Sequence, residues 1–229
     1  MLTTEAADST TELGEDKRVL LFQQGADLFA GKRTLMRELL GGKGAGLCEM
    51  IATGVNVPPG MTIMTSQCRE YYKNGGKLPS GLFEEVKALL ASIEERLARK
   101  LGCTDKPLLL SVRSGAKFSM PGMMDTVLNL GMNDKTVEAL ARSTGNARFA
   151  WDSYRRFIQM YSNVVLDLSK ERFEDMLHDK KESLRISNDT DLTVENLQDL
   201  VNQYKAFVKR ERKGDFPQCT ADQLRGAIE

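Results

Sequence analysis

Between Leu39 and Met50 the chain reads Leu-Leu-Gly-Gly-Lys-Gly-Ala-Gly-Leu-Cys-Glu-Met, with four glycines and one lysine in the six positions 41–46. Leu47, Met50 and Ile51 then recur at helical spacing until Gly54, so the glycines stand as a loop immediately before a helix. Such a junction has two uses. Without Cβ atoms, backbone amides can approach an anion; the helix N-terminus adds its dipole, and Lys43 adds a point charge, which together cradle a phosphate. The same glycines also make a plain hinge ahead of a helix, and taken alone they weigh equally for either reading. Neither common phosphate template fits: no Ser or Thr follows Lys43, and the third glycine of a G-x-G-x-x-G arrives one residue early.

Composition narrows what such a junction can serve. The 229 residues are about one and a half domains, 41% hydrophobic and 28% charged, as in an ordinary globule. Thirty-two basic residues balance 32 acidic ones, which argues against nucleic acid as the main partner and leaves room for a local anion site. Cys48, Cys68, Cys103 and Cys219 form no C-x-x-C pair, so they read as reduced thiols rather than zinc ligands or a disulfide framework. His178, the sole histidine, sits among charges on a helical pattern, reads as a solvated side chain, and rules against a Ser-His-Asp triad. No apolar run approaches the ~20 residues of a membrane span. Residues 1–16 carry five acids and no Lys or Arg, unlike a secretory signal, and read as a disordered lead.

From Lys17 onward the pattern mixes strands and helices. Val19–Phe22 and Met61–Met64 are strand-like; Gly25 and Gly31 bracket a turn or loop, and Pro58-Pro59-Gly60 excludes helix. Thr65 or Ser66 is expected to cap a helix bearing Cys68, Tyr71 and Tyr72. Leu82, Val86, Leu89, Leu90, Ile93, Leu97 and Leu101 predict a helix ending at Gly102, and Leu108–Val112 a buried strand. Asn146 opens a long helix with Phe149, Phe157, Met160, Tyr161, Val164 and Leu168 inward, and helices over about 170–183 and 193–212 follow. Thr220-Ala-Asp-Gln223 is a capping-box pattern before an apolar face at 224–228 that stops within three turns. This end reads as cut inside an element, the mark of a longer polypeptide, and its apolar face is expected to favour self-association.

Two further stretches carry chemistry. Leu108-Leu-Leu-Ser-Val-Arg-Ser-Gly-Ala-Lys117 brings Arg113, a permanently charged bidentate donor, to the end of an apolar strand, where a sheet edge commonly binds ligands. A phosphate contact is favoured over partnership with a buried carboxylate because Ser114, Gly115 and Lys117 extend the anion-friendly surface. Phe118-Ser-Met-Pro-Gly-Met-Met-Asp-Thr-Val-Leu-Asn-Leu-Gly131 then combines an irregular Met-rich loop with Asp125 and Thr126. A loop closing over a nucleotide and a Met-rich packing loop both fit this composition. No paired carboxylates stand at a spacing that builds a magnesium site.

In this order the motifs Leu-Gly-Gly-Lys-Gly-Ala-Gly-Leu-Cys-Glu-Met, Val-Pro-Pro-Gly-Met-Thr-Ile, Ser-Val-Arg-Ser-Gly-Ala and Ser-Met-Pro-Gly-Met-Met-Asp-Thr-Val-Leu-Asn-Leu-Gly resemble the N-terminal nucleotide-binding domain of the pyruvate, phosphate dikinase family. The resemblance runs from about Arg18 to the C-terminus. It implies an α+β, ATP-grasp-like nucleotide-binding domain, in its N-terminal part, over 17–145, with a helical portion over 146–229 that stops before the second ATP-grasp half. It implies a soluble phosphotransferase that converts ATP, phosphate and pyruvate to AMP, diphosphate and phosphoenolpyruvate through a phosphohistidine. Lys43 and Arg113 would contact ATP phosphates and act in transfer. Gly44 and Ser114 would line the same site, with Gly122, Asp125 and Thr126 on a loop over the phosphates. The ligands for Mg2+, the phosphohistidine and the pyruvate site would lie outside this sequence, so these residues alone are expected to be inactive. The family implies a homodimer and a cytoplasmic, plastid or glycosomal location. Phosphoenolpyruvate synthase shares the Gly-Gly-Lys-Gly-Ala and Val-Arg-Ser elements but departs after the arginine. A non-catalytic nucleotide-binding or interaction protein is the reading from another class.

Overall fold

The computed structural model describes residues 17–115 and 125–229. The expected lead at 1–16 and the stretch containing Lys117 and Gly122 lie outside the described residues. The described residues divide into two compact units, one holding 17–93 with 115 and the other 94–114 with 125–229. The expected division at 145/146 falls inside the second unit.

In the first unit β1 (Val19–Leu21) pairs antiparallel with β2 (Met61–Ile63), Leu20 facing Thr62 in register. Between them lie α1 (Phe22–Leu28) and α2 (Arg33–Ala52), followed after β2 by α3 (Thr65–Lys73) and α4 (Leu82–Leu97), which ends in the second unit. Leu20, Ala26, Phe29, Met36, Leu40, Ala45 and Cys48 form the core, with Phe22, Leu39, Ile51 and Met64 packed around it. Arg18 anchors β1 to α4 by donating to the Glu85 carboxylate and, at 2.7 Å, to the Ser80 carbonyl.

Several local expectations are corrected here. Gly25 lies inside α1, because the absence of a Cβ lets the helix approach Cys48 Sγ and Leu40 more closely than any other residue would. The cap of α3 is Met64, without a side-chain hydrogen bond; the Thr65 hydroxyl instead donates to the Glu38 carbonyl at 2.7 Å. Cys68 and Tyr72 are exposed, whereas Gln67 is the buried residue of that helix. The helix that begins at Leu82 ends at Leu97, where Ala98 takes a φ of 50°, rather than at Gly102, and Leu101 belongs to β3 (Lys100–Leu101).

The second unit carries two more strand pairs, β3 with β4 (Pro107–Leu108) in parallel and β5 (Leu110–Arg113) with β6 (Thr126–Leu130) antiparallel. The expected strand over 108–112 is therefore split between two sheets, and only its start is buried. Helices α5 (Thr136–Thr144), α6 (Ala147–Val164), α7 (Lys170–Leu184), α8 (Val194–Arg212) and α9 (Thr220–Ile228) complete the unit. The Asn146 side chain accepts from Phe149 N–H at 2.9 Å, the N-cap anticipated from sequence. Phe149 itself points outward, 49% exposed, while Tyr154, Phe157, Ile158 and Tyr161 are buried. Aromatic edges close this core: Phe173 meets Tyr204 at 4.9 Å and Phe207 at 5.1 Å, and Phe216 meets Phe157 and Tyr161 within 6 Å. His178 pairs with Glu182 on an exposed face of α7.

The capping box expected at Thr220 is not formed. Cys219 caps α9, and Gln223 is fully buried, accepting from Gly131 N–H at 3.1 Å and donating to the Met132 and Pro217 carbonyls at 2.9 and 2.8 Å. Leu224 is buried too, and Gly226 lies against Tyr161 and Val165, so the apolar face expected to drive self-association is largely covered within the unit.

Candidate functional site

The glycine run is not a loop ahead of a helix. Residues 33–40 are already helical, Gly41 turns with φ 70° and ψ 168°, and residues 42–52 continue as a second helical arm, so 42–46 form its first turn. Only glycine takes such backbone angles without strain, which accounts for position 41. Gly44 answers a different need: a Cβ there would stand 2.7 Å from Thr62 Oγ1. Gly46, by contrast, has open space around it. Three of the four glycines thus serve as a kink, a close helix-to-strand approach and an unconstrained position, more specific than the hinge considered from composition.

Thr62 closes this elbow from β2. Its hydroxyl donates to the Leu40 carbonyl at 3.4 Å, as that of Thr65 does to the Glu38 carbonyl, so carbonyls at the end of the first arm find hydroxyl donors where the helix breaks. Lys43 is half-buried in the first turn of the second arm, a helix terminus whose amides and dipole favour an anion. Thr62 lies within the Val-Pro-Pro-Gly-Met-Thr-Ile motif, but nothing in its local spacing marks it as a contact to the elbow. Burial, with a smaller push from the neighbouring Glu49 carboxylate, raises the Cys48 thiol on this arm to about 11, so it is a packing group and not a nucleophile at neutral pH.

In the other unit the β5–β6 hairpin gathers four candidates at one end. Arg113 and Thr126 face each other in register, and beyond them Ser114 donates to the Asp125 carbonyl from its amide at 3.0 Å and its hydroxyl at 3.2 Å. Arg113, Ser114 and Asp125 are exposed. Among the described residues Arg113 makes no ion pair with a carboxylate. The hairpin is antiparallel. A bulge at Asn129, φ 59°, shifts the phase of β6, so that Val127 and Leu130 are both buried while Leu128 is exposed. Gln223 and the Thr136 hydroxyl, which donates to the Gly131 carbonyl at 2.9 Å, fix the far end of the same strand.

Lys43 and Gly44 therefore belong to one unit and Arg113, Ser114, Asp125 and Thr126 to the other. Among the described residues no group of three or more His, Cys, Asp or Glu is placed to hold a metal. No helix among them is long and apolar enough to cross a membrane.

Residues 37–96, which contain the elbow, β2 and nearly all of α4, match the family model described as "Pyruvate phosphate dikinase, AMP/ATP-binding domain". The wider chain is 50% identical over 212 residues, 93% of its length, to the chloroplastic pyruvate, phosphate dikinase of Flaveria pringlei. It is 49% identical over 194 residues, 84% of its length, to the pyruvate, phosphate dikinase of Clostridium symbiosum. It is 50% identical over 192 residues, again 84%, to that of Rhizobium meliloti (strain 1021). The resemblance carried by the four motifs is borne out. The chain spans about a fifth of these relatives, 22, 22 and 21% of their respective lengths.

Proposed function

We propose that this chain is the ATP-binding part of a pyruvate, phosphate dikinase, a phosphotransferase that makes AMP, diphosphate and phosphoenolpyruvate from ATP, phosphate and pyruvate through a phosphohistidine. The observation that carries the reading is identity near 50% over 93% of the chain with a named dikinase. The geometry agrees with it chemically. A helix terminus bearing Lys43 and a hairpin end presenting an exposed Arg113 are both anion-seeking, and phosphoryl transfer is catalysed chiefly by positioning and charge stabilisation.

In this reading Lys43 and the Gly44 amide bind ATP phosphates from the elbow. Arg113 binds them through its planar fork, with Ser114 as a further donor and Asp125 and Thr126 at the base of a covering loop that includes Gly122. The fold is the N-terminal part of an ATP-grasp-like domain over 17–145 with a helical portion over 146–229. Magnesium would supply charge neutralisation of the phosphates. Its ligands, the phosphohistidine and the sites for pyruvate and phosphoenolpyruvate belong to other parts of the polypeptide, which forms a homodimer. The decisive experiment is Arg113→Ala in the natural polypeptide that carries this sequence. ATP-dependent AMP formation is expected to fall about 100-fold or more, as for loss of one preorganised charged donor; an unchanged rate would remove the claim. The isolated 229 residues are expected to bind ATP weakly and not turn it over; calorimetric affinity in the micromolar range would contradict that.

A further inference from the structure

Along an uninterrupted helix, residues sixteen apart stand about 24 Å from one another. In α2, however, Arg33 Nε lies 2.8 Å from Glu49 Oε1, and Arg37 Nε lies 3.5 Å from the same oxygen. The two arms are thus folded toward each other about Gly41, and one carboxylate on the second arm is held by two guanidinium groups on the first. Inside the bend sits α1, whose Gly25 faces both Leu40 of the first arm and Cys48 of the second. From the strand side Thr62 touches both arms as well, donating to the Leu40 carbonyl and packing on Gly44. A glycine at the pivot permits many angles, so these contacts must choose one.

We propose that Arg33, Arg37, Glu49 and Thr62 are positioning residues that set the angle of this elbow and thereby aim the first turn of the second arm, Lys43 included, at nucleotide phosphate. The proposal rests on the assignment of Lys43 to ATP phosphates. Free amides at a helix terminus point along its axis, so turning the arm turns the whole anion-binding end. The arginines also neutralise the acid nearest to that end on the same arm. Each pair is half or more exposed on the arginine side, so its energy is modest, and its effect is expected in orientation rather than in folding.

The test uses two readouts. In the 229-residue chain, with Cys68, Cys103 and Cys219 replaced by Ser, spin labels at Thr34 and Thr53 report the distance between the arms. In the natural polypeptide, steady-state kinetics report KM for MgATP and kcat separately. Glu49→Gln is expected to lengthen or broaden the distance distribution and to raise KM about three- to tenfold with kcat little changed. The charge-reversed triple variant Arg33→Glu, Arg37→Glu, Glu49→Arg is expected to restore both, a rescue that lost bulk stability would not give. Thr62→Val should move both readouts in the same direction as Glu49→Gln without altering charge. An unchanged distance, or an altered distance with unchanged KM, in both Glu49→Gln and Thr62→Val overturns the positioning role. If Lys43→Ala leaves KM unchanged, the phosphate assignment fails and the proposal with it, even where the elbow angle responds as described.

Discussion

The two regions that present charge, the elbow of α2 and the β5–β6 hairpin, reach similar ends by opposite means. At the elbow the backbone does the placing: Gly41 adopts a conformation closed to other residues, and Gly44 lets helix and strand meet around Thr62. At the hairpin, strand register does it, since pairing Arg113 with Thr126 brings four candidate residues to one end without any special dihedral there. The contrast teaches that a positively charged group can be placed by missing side chains or by paired strands, and the two should fail differently when altered.

The comparison is sharpened most by the hairpin's anchor. Gln223→Ala should destabilise the second unit by about 2–4 kcal/mol, because the Gly131 amide and the Met132 and Pro217 carbonyls lose their buried partner. Chemical denaturation would show it, and a loss below about 0.5 kcal/mol would mean the strand end holds itself. Gly41→Ala should cost about 1–3 kcal/mol in the first unit through strain at positive φ. Gly46→Ala should do the reverse and stabilise by up to about 1 kcal/mol, since its surroundings are open and alanine is the better helix former. Equal effects at 41 and 46 would break the distinction drawn between kink and spacer. The smallest effect is expected from pH. The Cys48 thiol rises from 9.0 to about 11 on folding, so its contribution is fully present below pH 9 and is lost as pH climbs toward 11. A Cys48→Ala variant should lack that alkaline decline in stability.

Much of this was legible in the residues. The apolar spacing from Leu82 to Ile93, the N-cap at Asn146 and the helices near 170–183 and 193–212 follow from local periodicity, which the fold preserved. The glycine run was read as a loop because glycine is a poor helix former. What local propensity could not weigh was the packing of both arms around α1 and the threonine hydroxyls that donate to the broken helix's carbonyls. Gln223 was read as a capping residue for a similar reason. Its partners Gly131 and Met132 lie about ninety residues away, beyond any local pattern. Phe149 was assigned inward by period alone, and α5 was not anticipated at all.

The sequence by itself determined residue types and their local spacing: Lys43 among glycines, Arg113 closing an apolar run, and motifs in an order that resembles a dikinase nucleotide-binding domain. Those properties depend on residue type and short spacing, which survive whatever the surroundings become. Only tertiary structure decided that the glycines would bend a helix instead of interrupting one, that Arg113 would stand exposed opposite Thr126, and that Gln223 would be a core anchor. Each of these turns on contacts between residues distant in the chain, where the burial of apolar surface and the pairing of buried polar groups outweigh the fraction of a kilocalorie by which local preferences differ.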